Sequence, residues 1–216
     1  MNGENLQANK TNQAEKARLG AIGENQVVSM LMQNGWDAFN ANCTIKNLKS
    51  IDIVCLNSEI PENTTCQWKP KSALVQVKTS VQKNIPVGFS IEESLNRAHL
   101  EEHVKGAYVF VYVDTSKAVW RFRYFIISRQ QFIKLLFAAH DWYDNGYKRE
   151  KPISKKSPAG MKIEWLEGKD EKETDRHIAF HNPLQGISCE DCWENIWKDY
   201  AYVAHSKIYL GCKNHL

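Results

Sequence analysis

This chain lacks most of the features that would place a protein in a class at a glance. No apolar run approaches the roughly 18 to 20 residues that a bilayer span requires, so a membrane protein is not expected. The opening stretch, MNGENLQANKTNQAEKARLG, has no apolar signal-peptide segment. The expectation is therefore a cytoplasmic protein whose six cysteines are mostly reduced thiols. No internal repeat is visible, which argues against a solenoid. The net charge is only +3, too small to name a partner by itself.

What is present is an ordinary globular composition. The chain has 216 residues, 43% hydrophobic and 25% charged, enough for one large core or a core with an appendage. The charge is unevenly placed. Residues 1–160 hold 21 basic and 15 acidic side chains, whereas residues 161–216 hold 7 and 10. A basic peak, YKREKPISKK at 147–156, either contacts phosphates or forms a solvated loop.

Residues 1–13 read as a disordered arm. The periodicity of 14–34 predicts a helix, with Gly35 as its stop. Glu24 falls on the apolar stripe of Ala17, Ala21, Val28 and Leu31. Gly20 and Gly23 lower helix propensity but permit close approach of a strand or ligand. Strands are expected at 36–43, 50–57, 73–79, 107–114 and 119–128. Helices are expected at 90–105, opened by a capping box of Ser90 and Glu93, and at 129–143. Residues 161–167 read as a further strand and 188–203 as a last helix. The fold class is thus α/β, a central mixed sheet flanked by helices in the order αβββαββα, over a core at 14–143. Residues 144–216 form a C-terminal extension, either for substrate recognition or for packing against that core.

The strand ALVQVKTS (73–80) contains the sharpest clue. Gln76 and Lys78 are two apart, so both project from one face of an otherwise apolar strand. Asp52 projects from the strand SIDIVCLN, and Glu24 from the inner face of the first helix. Polar groups at core positions cost several kcal/mol each when unpaired. Gathered round one charged object, they make sense. Two carboxylates and an amide oxygen are hard donors, as Mg²⁺ prefers. A lysine beside them suits the negative charge of a phosphate under attack.

At these residues the sequence resembles the PD-(D/E)XK nuclease superfamily, which includes restriction endonucleases and archaeal-type Holliday junction resolvases. GAIGENQVVSMLMQNGW, SIDIVCLN and LVQVKTS match its helical Glu, its strand Asp and its acid-x-Lys strand, across roughly residues 14–130. The chain departs from the pattern at Ile51, where Pro is usual, and at Gln76, where an acid is usual. A Gln-x-Lys variant occurs in the family. The resemblance implies a restriction-endonuclease-like core and a metal-dependent endonuclease acting on DNA with Mg²⁺ or Mn²⁺. Asp52 would bridge the metal, Gln76 and the Val77 carbonyl would ligate it, and Glu24 would reach it through water. Lys78 would activate the attacking water and steady the phosphorus. Without the acid's charge, weaker metal binding is expected.

Further contacts to the nucleic acid are expected from Thr79, Ser80, Lys83, Arg97, Arg121 and Arg123. In WRFRYF the two arginines share a strand face, which is first a half-buried amphipathic pattern and only second a phosphate stripe. A homodimer would suit double-strand cleavage. Two alternatives stand beside the nuclease. One is a nucleic-acid-binding module that keeps the fold but has lost the metal. The other is a zinc-stabilised interaction protein, since Cys189-x2-Cys192 and Cys212-x2-His215 match Cys3His spacing. The acidic helix start around the first pair argues against zinc. His103, His140, His177 and His181 show no nucleophilic or metal-binding arrangement.

Overall fold

The computed structural model describes residues 2–41, 51–57, 72–148 and 152–199. The first helix, α1, runs Asn2–Gln33 and so reaches back through the segment expected to be a disordered arm. Gly35, at φ 77°, makes the turn out of it as expected. Then come β1 (Asp37–Asn40), β2 (Ile53–Leu56), β3 (Ser72–Ser80) and β4 (Asn84–Ser90). Two short helices follow, α2 (Ile91–Ser94) and α3 (Arg97–His103). The hairpin β5 (Ala107–Asp114) and β6 (Arg121–Ile127) leads to α4 (Arg129–Asn145), and β7 (Pro158–Lys162) leads to α5 (Ile163–Leu166).

Five strands form one mixed sheet in the order β1-β2-β3-β5-β6. The β3–β5 pair is parallel, with Gln76 opposite Tyr108 and Lys78 opposite Phe110, and the other pairs are antiparallel. Parallel pairing needs a crossover, which α2 and α3 supply. Because elements cover both faces, β5 is buried almost end to end and shows no polar alternation. Ala73, Val75, Val77, Val109 and Val111 pack with Val27 and Leu31 of α1 on one face. Tyr108, Phe110, Phe125 and Ile127 pack with α4 on the other. The architecture is therefore mixed α/β, a five-strand mixed sheet flanked by helices. Among the described residues no helix is long and apolar enough to cross a membrane.

Three further local expectations need correction, and one strand is not expected from the sequence at all. The helix expected at 90–105 does begin with the capping box, Glu93 N donating to Ser90 Oγ at 3.2 Å and Ser90 N to Glu93 Oε2 at 2.6 Å. It then breaks at Leu95, and Asn96 caps a second helix by accepting from His99 N at 3.0 Å. The polar segment before it is a strand, β4, in which Ile85 and Val87 alternate inward past Pro86 and Gly88. It escapes notice because Pro and Gly read as turn residues, yet both are accommodated in a two-stranded β4–β7 sheet. The strand expected at 161–167 is instead the end of β7 and the turn α5. Of the last helix expected at 188–203, the described residues show a 3₁₀ turn at Trp193–Ile196 and helical residues at 198–199, and residues 200–203 lie outside them. Trp193 and Ile196 of that turn nevertheless pack on the sheet face beside α1.

The extension is folded onto the core. Met161, Ile163, Trp165, Leu166, Phe180 and Cys189 belong to the same apolar cluster as α4 and β5.

Candidate active site

The site forms where β2 begins. Asp52 lies just before that strand and still extends its ladder, its N–H donating to the Val75 carbonyl at 3.0 Å. Among the described residues β3 has no strand partner on that side beyond this point, so the Val77 N–H needs another acceptor. The Asp52 carboxylate provides it, Val77 N donating to Oδ2 at 2.8 Å. Gln76 Nε2 donates to the same oxygen in a short hydrogen bond. One carboxylate oxygen thus closes the end of the sheet and ties down the first residue of the Gln-x-Lys pair.

Glu24 enters from α1. Its Oε2 accepts from Asn40 Nδ2 at 2.5 Å, so β1 holds the helix carboxylate in place. Partial burial pushes the Glu24 carboxyl above the usual carboxylate range. The Asn40 bond and the Lys78 charge oppose that rise, and the charge of Asp52 adds to it. Lys78 is shifted the other way. Burial lowers the proton affinity of its amine, against the pull of Asp52 and Glu24. These three groups therefore share one electrostatic field. Tyr108, opposite Gln76 across β3–β5, is raised by burial and by the same Asp52 charge.

The Gln76 side chain is 5% exposed, and its Oε1 has no hydrogen-bond partner among the described residues. A buried amide oxygen left unpaired costs on the order of 1–3 kcal/mol, so it invites a donor or a cation. The available donors are Asp52, Glu24 and this oxygen, all hard and two of them anionic. The set fits a hard divalent ion held less tightly than by three acids. In the arrangement seen, the amide presents its nitrogen to Asp52, so using its oxygen there would take a half-turn of the amide. No group of three or more His, Cys, Asp or Glu stands together as a metal cluster among the described residues.

Other expected residues lie elsewhere. Thr79 points to the opposite face from Lys78, pressed against Gly23, its hydroxyl buried and unpaired among the described residues. Ser80 shares the face of Gln76 and Lys78 but accepts from Gln82 N at 2.9 Å, capping the turn after β3. Lys83 is exposed, and its carbonyl accepts from Ile163 N at 3.0 Å. Arg97 is exposed at the start of α3, and Arg121 at the start of β6. Arg123 is committed within the chain. Its Nε and Nη2 donate to both oxygens of Glu190 at 2.7 Å, and Nη2 also to Glu167 at 2.8 Å. The expected phosphate contact is instead a clip between β6 and the C-terminal segment, because two carboxylates from that segment meet it. Cys189 is a core thiol whose burial pushes it up to about 12, and Cys192 Sγ donates to the Ser188 carbonyl at 3.3 Å. Cys212 and His215, the other half of the zinc alternative, lie outside the described residues.

Sequence reasoning missed Asn40, Tyr108 and three residues facing Lys78: Glu93, His99 and His103. His99 and His103 stand four apart on one helix, a spacing that sets side chains on one face and was available to be read. Asn40 carried no such signal, since its role exists only once β1 lies beside α1.

No family model, curated protein or solved structure matches the chain.

Proposed function

We propose that this protein is a metal-dependent nuclease of the PD-(D/E)XK type, hydrolysing phosphodiester bonds in DNA. The reading rests on one observation above the others. The Gln76 amide, the Asp52 carboxylate, the Glu24 carboxylate and the Lys78 ammonium come together where a strand ladder ends. Closing the strand end accounts for Asp52, but it does not call for Glu24 and Lys78 beside it at the edge of an apolar core.

Asp52, the Gln76 amide oxygen, the Val77 carbonyl and, through water, Glu24 are the residues that would hold Mg²⁺ or Mn²⁺. When bound, the ion would supply Lewis-acid stabilisation of charge at the phosphate. The chain's own groups do the rest. Asp52, pinned by the Val77 N–H, is preorganised and needs no rearrangement as charge develops. Lys78 Nζ, with its solvent shell reduced by burial, donates to a phosphate oxygen and is worth more there than in water. Glu24 would reach the ion through water, and Lys78 would also position the attacking water.

The rival reading, a binding module without catalysis, has one observation in its favour: the Gln76 amide presents its donor nitrogen, not its oxygen, to Asp52. Plasmid nicking in Mg²⁺ or Mn²⁺, with EDTA controls, separates the two. The nuclease reading expects nicking that disappears in Asp52→Ala and in Lys78→Ala. A wild-type protein that binds DNA but cleaves neither plasmid nor single-stranded DNA, under either ion, sinks that reading in favour of the module.

A further inference from the structure

A cavity of about 430 Å³ opens on the same sheet face as Lys78. Gln76 and Lys78 form one wall, and Glu93, His99 and His103 form the wall opposite. Phe89 and Tyr108 line it with aromatic surface. None of the wall opposite Lys78 is used in the hydrolysis described above.

That wall is built, not incidental. Glu93 spends Oε2 on Ser90 N and Oγ, at 2.6 and 2.9 Å, and sets Oε1 3.7 Å from His99 Nε2. Hydrogen bonding leaves Glu93 charged, its carboxyl held below the usual carboxylate range by Ser90, so within the cavity an anionic group belongs at Lys78 and not beside Glu93. His99 and His103 stack with ring centres 3.9 Å apart and planes 22° apart. His103 Nδ1 lies 2.9 Å from the His99 carbonyl, which can only accept, so Nδ1 carries a proton and donates. Its Nε2 is left for a ligand. Phe89 meets His99 edge-on at 6.1 Å, fixing that ring from the side. Lys78 and the imidazoles thus bring basic nitrogens to a space lined by ring surface.

These features match one ligand chemistry: an anionic phosphodiester carrying a flat, apolar-faced, hydrogen-bonding ring. We propose that the cavity seats one unpaired nucleotide beside the scissile phosphate, so that the substrate is single-stranded or locally unpaired DNA. This rests on the nuclease reading for the position of the phosphate at Lys78. The volume suits one nucleotide and is far too small for a duplex. A base that enters it has left its stack and its partner, which is least costly in a single strand. His103 is the ligand-contacting group, and Glu93 and His99 are positioning residues.

The test is binding by the full-length protein in EDTA, read by fluorescence anisotropy, so that hydrolysis plays no part. The probes are labelled oligodeoxythymidylate, about ten nucleotides long to fill one site, and a blunt duplex of equal length. The expected result is at least a tenfold preference for the single strand. Both His103→Gln, which keeps a donor for the His99 carbonyl, and Phe89→Leu are expected to reduce that preference about tenfold, with duplex binding unchanged. Equal affinity for the two probes overturns the proposal, as does an unchanged preference in both folded variants. Plasmid nicking without single-strand preference sinks the cavity's role and spares the nuclease. Single-strand preference without nicking on any DNA keeps the cavity's ligand and sinks the nuclease.

Discussion

Gly23 of α1 stands directly against Thr79 of β3: a Cβ added at Gly23 would lie 1.9 Å from the Thr79 hydroxyl oxygen and 2.8 Å from its Cβ. The helix that carries Glu24 can approach the strand that carries Lys78 this closely because residue 23 has no side chain. Thr79 cannot swing away, since its branch point is itself in the contact. Gly23→Ala is therefore expected to lose about 1–3 kcal/mol through overpacking, despite a gain of roughly 1 kcal/mol in helix propensity. Gly20, with nothing within 4 Å of an added Cβ, is the control, and Gly20→Ala is expected to stabilise by up to about 1 kcal/mol. Urea unfolding of the two variants measures both, and equal shifts would show that the close contact does not govern the helix position.

Gln76→Glu separates two uses of the amide. If Gln76 is a weak metal ligand, the acid tightens Mg²⁺ binding and raises nicking at low Mg²⁺. Without metal the same change sets two carboxylates against each other, removes the donor to Asp52, and lowers stability by about 1–3 kcal/mol. Thermal unfolding of the variant in EDTA and in Mg²⁺ is expected to show a much larger Mg²⁺-dependent rise than the wild type. A variant as stable as the wild type in EDTA, with no response to Mg²⁺, contradicts the metal assignment.

Glu24 makes stability depend on pH in a stated direction. Its folded proton affinity is raised, chiefly by burial. Between the ordinary glutamate value of 4.5 and the raised folded value, the native state binds more protons than the unfolded state. The contribution is fully present below 4.5 and is lost as pH rises through the folded value. Glu24→Gln keeps an oxygen for Asn40 but carries no charge, so it is expected to be more stable than the wild type at neutral pH. The difference should vanish in acid, where Glu24 is itself protonated. Guanidine melts across pH 3 to 8 would show it; a constant difference at every pH would mean that the charge is not its source.

Arg123→Met tests the clip. Because the guanidinium is partly exposed, the loss is expected to be modest, about 1 kcal/mol, mostly from freeing Glu190 and Glu167 from their bidentate and shared hydrogen bonds. DNA affinity and its salt dependence are expected to stay unchanged. A weaker salt slope in the variant would return Arg123 to the nucleic-acid interface.

The chain itself specified the parts of this protein that depend on near neighbours. The alternation in ALVQVKTS put Gln76 and Lys78 on one face, and Ser90 with Glu93 marked a helix start, whereas the helical stripe held only in part, since Leu31 is buried but Ala17 and Ala21 are exposed and Val27 takes the inner face. The first two follow from spacing along the chain, and both are legible because side-chain direction repeats with the backbone. Only the tertiary structure decided that Val77 N–H and Gln76 meet Asp52, that Asn40 holds Glu24, and that Arg123 meets Glu190 rather than a phosphate. It also decided that Thr79 faces Gly23, that Pro86 and Gly88 sit in a strand, and that His99 and His103 stand across a cavity from Lys78. Those relationships join residues far apart in the chain, and they depend on which strand edges and helix faces pair. That choice is made by the packing of the whole core, which no local period records.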